Sequence, residues 1–431
     1  MSDERAQRIA CATMIDPAWS ALFRREPAIA EQSLAIVDDD GARGVIIALS
    51  AAAQRMGVRR GQRLHRARAI APTLLVRVED PHARASAREA LCDAALALSP
   101  TIELDEDRVF LDARGVRGRY ESEAGFSAAL ARSCEKVGLS VSVAIACGRR
   151  TAAALSRAGV DRAVAEGEER AALAGLSLAH LELSPKLERA LESLGVRRVD
   201  ELARLDPSAI AARLGEEAAT AVRLALGEDR APLIAQRKSE RFEERASFEW
   251  EVIESEPLLF LCKRLFDNAI ARLACRSLSS RAARVTLALR AGGAHERTIT
   301  VGAPTREVAV WLRLLRASLD ASPPPDSVVG ARVELAPCAP RAVQLGLFDP
   351  PGPAPERWSL ALARIEAMVG ADRVGSPCAA STHRPGEVRL SPFDPALAQR
   401  TESLELAPRF ALVLHVFRPP KRARVRYEHG A

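Results

Sequence analysis

Apolar and polar positions change period block by block along this chain, and the blocks predict its elements. Arg8 to Ala12 is a short apolar run, as a buried strand requires. After a break at Asp16-Pro17, Leu34–Val37 and Val45–Ala48 predict two strands joined across Asp38-Asp39-Asp40-Gly41. Ser50–Met56 and Gly61–Ile70 predict helices on either side of Gly57-Val58-Arg59-Arg60. From Ala83 to Leu98 the Ala/Leu spacing is helical and stops at Ser99-Pro100. Ile102–Leu104 and Val109–Ala113 make two short strands around the acidic turn Asp105-Glu106-Asp107. Glu123–Val137 is helical up to Gly138, and Leu139–Ala146 alternates as a strand. The order is strand, inserted module, helix, strand, strand, helix, strand: a split βαββαβ unit interrupted after its first strand. Such a sheet sets the end of its first strand beside its central hairpin. Chemistry built there draws on residues near Thr13 and Asp107.

Leu181 to Gly227 reads as helical throughout, with short helices flanking Leu194-Gly195-Val196 and a cap-proline start at Asp206-Pro207. Two helices around a glycine turn match helix-hairpin-helix binders of the DNA backbone. The earlier turn, Leu183-Ser184-Pro185-Lys186, has no glycine, so a plain helical spacer stands beside that reading. A charged linker from Glu228 to Arg245 leads into a second βαββαβ pattern, closing with a strand over Val329–Leu335.

Charge changes the picture locally. The chain has 431 residues, formal net charge +6 and a pI near 9.1, so a polyanionic partner is compatible and any basic surface has to be local. In the second βαββαβ segment Lys263, Arg264, Arg272, Arg276, Arg281, Arg284, Arg290 and Arg297 meet only Asp267 and Glu296 over the same span. This predicts a phosphate-tracking surface, with Lys263, Arg264, Arg281, Arg284, Arg290 and Arg297 as its candidates; a solvated charged face is the rival. The eight cysteines are scattered without Cys-x-x-Cys spacing, so neither a zinc site nor a disulfide framework is indicated, and no cofactor pattern is present. No apolar signal core opens the chain and no run of 18 apolar residues occurs; a reducing cytoplasm, with no membrane partner, is the expectation.

One stretch puts apolar side chains where no fold needs them. Ala-Val-Gln-Leu-Gly-Leu-Phe-Asp-Pro-Pro, residues 342–351, is crowded by Pro337, Pro340, Pro350, Pro351, Pro353 and Pro355, which exclude a helix or a central strand. Gln344, Leu345, Leu347 and Phe348 then offer an amide and three apolar groups to a partner's groove. Leu347 and Phe348 plugging the chain's own surface is the alternative.

The order of these parts resembles Y-family translesion DNA polymerases, which are built as palm, fingers, thumb and little finger. The resemblance rests on Gly44-Val45-Ile46, Met56-Gly57-Val58-Arg59 and Phe110-Leu111-Asp112 and covers roughly Arg8 to Leu335. It implies an α+β right hand: residues 1–15 with 77–165 palm-like, 16–76 a fingers-like insertion, 166–228 a helical thumb, and 241–338 a little-finger-like DNA-binding domain. Residues 339–353 become a clamp-binding linker and 354–431 a partner-binding tail. Gln344 to Phe348 resembles the bacterial sliding-clamp pentapeptide at the place where family members carry one.

The departures from active members matter as much. The family's first metal-binding aspartate falls on Thr13, the second aspartate of the same strand motif on Ile15, and the Asp-Glu pair of the central hairpin on Asp107 and Arg108, so one of three expected carboxylates remains. The fingers Tyr and Arg fall on Ala51 and Gln54, the aromatic sugar gate on Pro17 or Ala18, and the triphosphate-contacting lysine is not found. This leaves Asp107 as a surface turn residue and puts a guanidinium where a metal ligand belongs. At about 4 Å and an effective dielectric near 20, that charge disfavours a divalent ion by roughly 8 kcal/mol. The pattern fits the non-catalytic mutasome branch of the family. Membership there implies primed DNA, the sliding clamp (the beta subunit of DNA polymerase III), an error-prone DnaE-type polymerase (ImuC) and the RecA-like ImuA as partners. An active polymerase with an atypical metal site, and an unrelated helix-hairpin-helix repair adaptor, are the competing classes.

Overall fold

In the computed structural model, residues 7–29, 32–41, 43–114, 116–229, 231–235 and 240–340 are described, with 361–362, 365, 369–370, 373–379, 388–391, 421–422 and 424 of the tail. The chain falls into two compact units, Met1–Thr300 with Pro304–Arg341, and Val301–Ala303 with Ala342–Ala431. The first opens with β1 (Ile9–Met14), α1 (Pro17–Arg25), β2 (Leu34–Val37), β3 (Ile46–Leu49), α2 (Ala51–Arg55), α3 (Leu64–Ile70) and β4 (Leu75–Val78). It continues through α4 (Pro81–Leu96), β5 (Ile102–Asp105), β6 (Arg108–Asp112), α5 (Arg117–Tyr120), α6 (Glu123–Lys136), β7 (Val141–Ala146) and α7 (Arg149–Arg157). The helical stretch is α8 (Glu169–Leu173), α9 (Pro185–Ser193), α10 (Val199–Leu202), α11 (Pro207–Leu214) and α12 (Glu216–Ala225). Last come β8 (Phe242–Val252), α13 (Ser255–Cys275), β9 (Ser279–Leu289), β10 (Ala294–Thr305), α14 (Val308–Ala321) and β11 (Val328–Cys338).

The fold class is α+β. Its first sheet runs β5-β6-β1-β7, with β1 antiparallel to both neighbours and Thr13 directly opposite Arg108. Alternation along β1 sends Ala10, Ala12 and Met14 to a core shared with α4 and α6, and Ile9 and Cys11 to one shared with α7 and the helical stretch. Both faces of the sheet are covered. The inserted module is a separate three-stranded sheet, β3-β2-β4, in which β4 runs parallel to β2.

Local chemistry starts the helices. Asp16, Asp80, Ser184 and Asp206 each cap a following helix whose first turn holds a proline, satisfying an orphan N–H where the ring costs no hydrogen bond. Helix α7 is capped from far away: the Asp229 carboxylate accepts from the amides of Arg150 at 2.5 Å and Thr151 at 3.1 Å. A Cβ on Gly148 would lie 2.4 Å from that aspartate, so only glycine fits there.

The second large sheet, β10-β9-β11-β8, packs on α13 and α14 around Phe266 and Trp311, whose rings stack 6.1 Å apart. Helix α13 also lies against α4, and between them sits a buried ionic group. Arg272, fully buried, donates to Asp93 of α4 at 2.7 Å and to Glu244 of β8 at 3.2 Å. The tail unit contributes a two-stranded hairpin, β12 (Ser376–Ala379) with β13 (Val388–Ser391), which the sequence pattern did not predict. Arg357–Val369 reads from the sequence as a short amphipathic helix, and Ala361, Leu362, Ile365 and Val369 are helical. Phe410–Phe417, which reads as a strand, lies outside the described residues. Among the described residues no helix is long and apolar enough to cross a membrane.

Candidate functional site

The end of β1 and the β5–β6 hairpin meet as expected, but the three side chains at the positions of the family's acids do not converge. Thr13 faces α7, where its Oγ1 is 2.7 Å from the Ser156 hydroxyl and 3.7 Å from the Cys11 thiol, which burial pushes up to about 11. Arg108, beside it in register, is 10% exposed at the side chain and is held by Asp105 at 3.0 Å and Glu182 at 2.7 Å. Burial works against its charge, yet the Glu182 hydrogen bond and the Glu182 and Asp105 charges outweigh burial and raise its pKa above the ordinary guanidinium value.

Asp107 is placed differently from the expectation of a surface turn residue. It does lie in the turn, with its carbonyl accepting from the Met14 amide at 2.9 Å, but its side chain is only 17% exposed. Arg84 of α4 grips the carboxylate through Nε and Nη2, and holds Glu79 through Nη1 at 2.6 Å. Asp16 does not supply a replacement ligand, since its carboxylate caps α1 by accepting from the Trp19 amide at 3.4 Å. Burial raises its pKa, with that hydrogen bond and the nearby charge of Arg60 pulling the other way.

A cleft of about 370 Å³ opens beside Arg108, lined by Phe110, Arg149, His180, Glu182 and Leu224 among others. Arg149 lies over the Phe110 ring at 4.4 Å and bonds Glu103 at 2.6 Å and Asp105 at 3.3 Å. Glu182 takes both Arg108 and Arg157, the latter at 2.8 Å, from a left-handed backbone with φ 54°. A non-glycine residue rarely adopts that conformation unless its surroundings hold it there. The sequence analysis missed Arg84, Arg149 and Glu182; each is remote in sequence from the acid it pairs with or the arginine it holds.

The two divalent cations that the family resemblance implies do not fit this donor set. Thr13 offers a hydroxyl already bonded to Ser156, Arg108 offers only donors, and the Asp107 carboxylate is engaged by a guanidinium. Among the described residues no group of three or more His, Cys, Asp or Glu side chains is placed to hold a metal ion. Ala51 and Gln54, at the fingers positions, are both exposed, and α7 carries no lysine.

The basic candidates of the second βαββαβ segment do not share a face. Arg264 is half-buried, and its Nε donates to the carbonyl of Arg24 at 2.5 Å, against α1. Lys263 pairs with Asp267 at 2.8 Å on the same helix, and Arg290 with Glu251 of β8 at 2.7 Å. Arg297 donates to the Ser322 carbonyl at 2.8 Å. Arg281 is exposed at the start of β9, and Arg284 stands on the open face of the sheet in register with Glu334. Arg272 and Arg276 are held by acids that lie outside the span counted. Gln344, Leu345, Leu347 and Phe348 lie outside the described residues.

Comparison with known proteins adds to this geometry. The impB/mucB/samB family model matches residues 18–157. Protein ImuB of Caulobacter vibrioides (strain NA1000 / CB15N) is 29% identical over 351 residues, covering 80% of this chain and 77% of that protein. The chain is similar to ImuB over most of its length and to the impB/mucB/samB family model over residues 18–157. DNA polymerase IV of Methanoculleus marisnigri is 24% identical over 287 residues, 64% of this chain and 79% of the polymerase. Among solved structures, DinB from Sulfolobus solfataricus aligns with TM-score 0.44 and 15% identity over 78% of this chain and 100% of its own. The insertion ternary complex of Dbh DNA polymerase aligns with TM-score 0.46 and 15% identity, covering 78% and 100%.

Proposed function

We propose that this chain is a non-catalytic, polymerase-shaped scaffold. It binds primed DNA and the sliding clamp and recruits an error-prone DnaE-type polymerase, with a RecA-like partner, for damage-induced translesion synthesis and mutagenesis. The observation that carries the reading is Arg108. A guanidinium held by Asp105 and Glu182 stands where the family resemblance expects a metal-binding carboxylate. Two-metal phosphoryl transfer needs carboxylates that hold two ions about 3.5–4 Å apart, and this end of the sheet offers none unengaged among Thr13, Asp107 and Arg108. The proposed division of the chain follows: 1–15 with 77–165 as palm, 16–76 as fingers, 166–228 as thumb, 241–338 as little finger, 339–353 as clamp linker and 354–431 as recruiting tail.

The test of the scaffold reading is reconstitution on primed DNA with the sliding clamp and the DnaE-type polymerase. Gln344, Leu347 and Phe348 replaced together by Ala remove an amide and two apolar anchors, and a loss of even about 3 kcal/mol weakens binding more than a hundredfold. Surface plasmon resonance against the clamp is expected to lose its signal while the melting temperature stays unchanged. Retained clamp binding, or a melt lowered by several degrees, contradicts the docking role and favours packing of these side chains on the chain itself.

A further inference from the structure

The strongest unassigned feature is electrostatic and lies on the inserted β3-β2-β4 module. Between Ser50 and Val78 the chain carries Arg55, Arg59, Arg60, Arg63, Arg66, Arg68 and Arg77 and no Asp or Glu. Arg77 pairs with Glu26 at 3.3 Å. The other six are all exposed, and none makes a salt bridge with a described residue within 4 Å. This contrasts with the β10-β9-β11-β8 sheet, where Arg332 meets Glu243 at 3.3 Å, Arg241 meets Glu334 at 3.7 Å and Arg290 meets Glu251.

The fold gathers the six. Helices α2 and α3 are joined by a loop that runs along the free side of β3: the Gly61 amide donates to the Ile46 carbonyl at 2.8 Å, the Ile46 amide to the Gln62 carbonyl at 2.9 Å, and Val45 bridges Arg63. Leu64 and Ala67 turn inward into the module's core, which leaves Arg63, Arg66 and Arg68 on the outside of α3. Arg60, in the loop, is near enough to Asp16 to act on its charge, so the basic loop reaches toward the end of β1. Six guanidinium groups over fourteen residues, without a carboxylate partner among the described residues, repel one another, a cost that a polyanion removes.

We infer that this arginine-covered edge, rather than the second βαββαβ sheet, is the principal phosphate-contacting surface of the chain, and that its ligand is the phosphodiester backbone of DNA. The module has no Phe, Trp or Tyr between Leu34 and Val78, so it has no platform on which bases stack. Contact through phosphates alone makes the binding independent of sequence and steeply dependent on salt. Guanidinium forks match phosphate oxygens, but a charge-only contact tolerates lysine. The inference rests on the DNA-binding part of the proposed function and names where that binding resides.

The experiment is fluorescence anisotropy of a labelled primed duplex with the full chain between 50 and 200 mM salt. Six phosphate contacts give a slope of log K against log salt of about −5, a loss of roughly a thousandfold over that range. Arg59, Arg60, Arg63 and Arg66 replaced together by Ser should weaken binding more than tenfold at 100 mM salt and flatten the slope by about 3 to 4. The same positions replaced by Lys should keep the slope, and Arg281→Ser with Arg284→Ser should change it by less. A Ser variant with unchanged affinity and slope overturns the inference while leaving DNA binding intact. So does a Lys variant that loses as much as the Ser variant, since the loss is then not one of charge. Wild-type chain that does not bind primed DNA at 50 mM salt instead overturns the DNA-binding part of the proposed function itself.

Discussion

At the scale of single residues, the substitution that matters most is Arg108, and the structure changes the reason. A bare charge at a metal position opposes a divalent ion strongly, but here Asp105 and Glu182 neutralise it. What the site lacks is ligands. The guanidinium has taken a structural task, tying the β5–β6 hairpin to Glu182 in the helical stretch. Arg108→Ala should therefore cost about 1 to 3 kcal/mol, less than a fully buried pair because Glu182 is 42% exposed at its side chain. Urea unfolding measures this, and a variant as stable as the wild type contradicts the task assigned to Arg108. Asp107 has likewise changed partners, from a metal ion in the implied family role to Arg84.

At the scale of elements, Asp80 joins two of them: it caps α4 through the His82 amide at 2.7 Å and pairs with Arg25 of α1. Burial raises its pKa, but the Arg25 charge and the hydrogen bonds from His82, Arg25 and Ala83 outweigh burial and hold it below the ordinary 3.8. A depressed carboxylate stabilises the fold above its unfolded pKa and loses that contribution as pH falls through the lower folded value. Asp80→Asn should thus lower stability at pH 7 and converge with the wild type as pH falls through the lowered folded value, in paired melts across pH; a gap that persists at the acid end contradicts the ionic assignment. The cap-proline pairs that start α1, α4, α9 and α11 are written in the sequence, and so are the strands whose alternation faces a core. Several elements were not legible, α7, β4 and α1 among them. Helix α7 is only nine residues long and buries small residues, Thr151 to Ala154 with Ser156, beside a single large apolar side chain, Leu155, so it lacks the run of large apolar residues that marks a core helix. Strand β4 has the exposure of an outer edge and is fixed by parallel pairing with β2, some forty residues earlier. Helix α1 is short, and only its Asp16-Pro17 start announces it.

At the scale of the whole molecule, counting charge along the chain leaves out the acids that the fold brings to the second βαββαβ segment, because partners across strands and helices are invisible to a linear count. Arg272 shows this best: it reads as a basic surface residue and is the buried centre of an ionic group with Asp93, Glu244 and, at 3.4 Å, Glu89. Burial works against its charge and the Glu244 and Asp93 carboxylates outweigh it, raising its pKa. Arg272→Ala removes the shortest ionic contacts of two buried carboxylates where α13 meets α4, leaving Asp93 with Arg276 at 3.8 Å and Glu244 with Arg24 at 3.6 Å, and should cost about 3 kcal/mol. Calorimetry should show a lowered melting temperature; an unchanged one contradicts the role of this ionic group in joining the segments. The proposed scaffold reading rests on Thr13, Asp107 and Arg108, each engaged by another side chain. The central claim is tested most directly by gel-resolved extension of a labelled primer by the purified chain alone, with magnesium or manganese and all four nucleotides. The account predicts that the primer is bound and not extended; template-dependent extension that disappears in Asp107→Ala would show a working polymerase and contradict it.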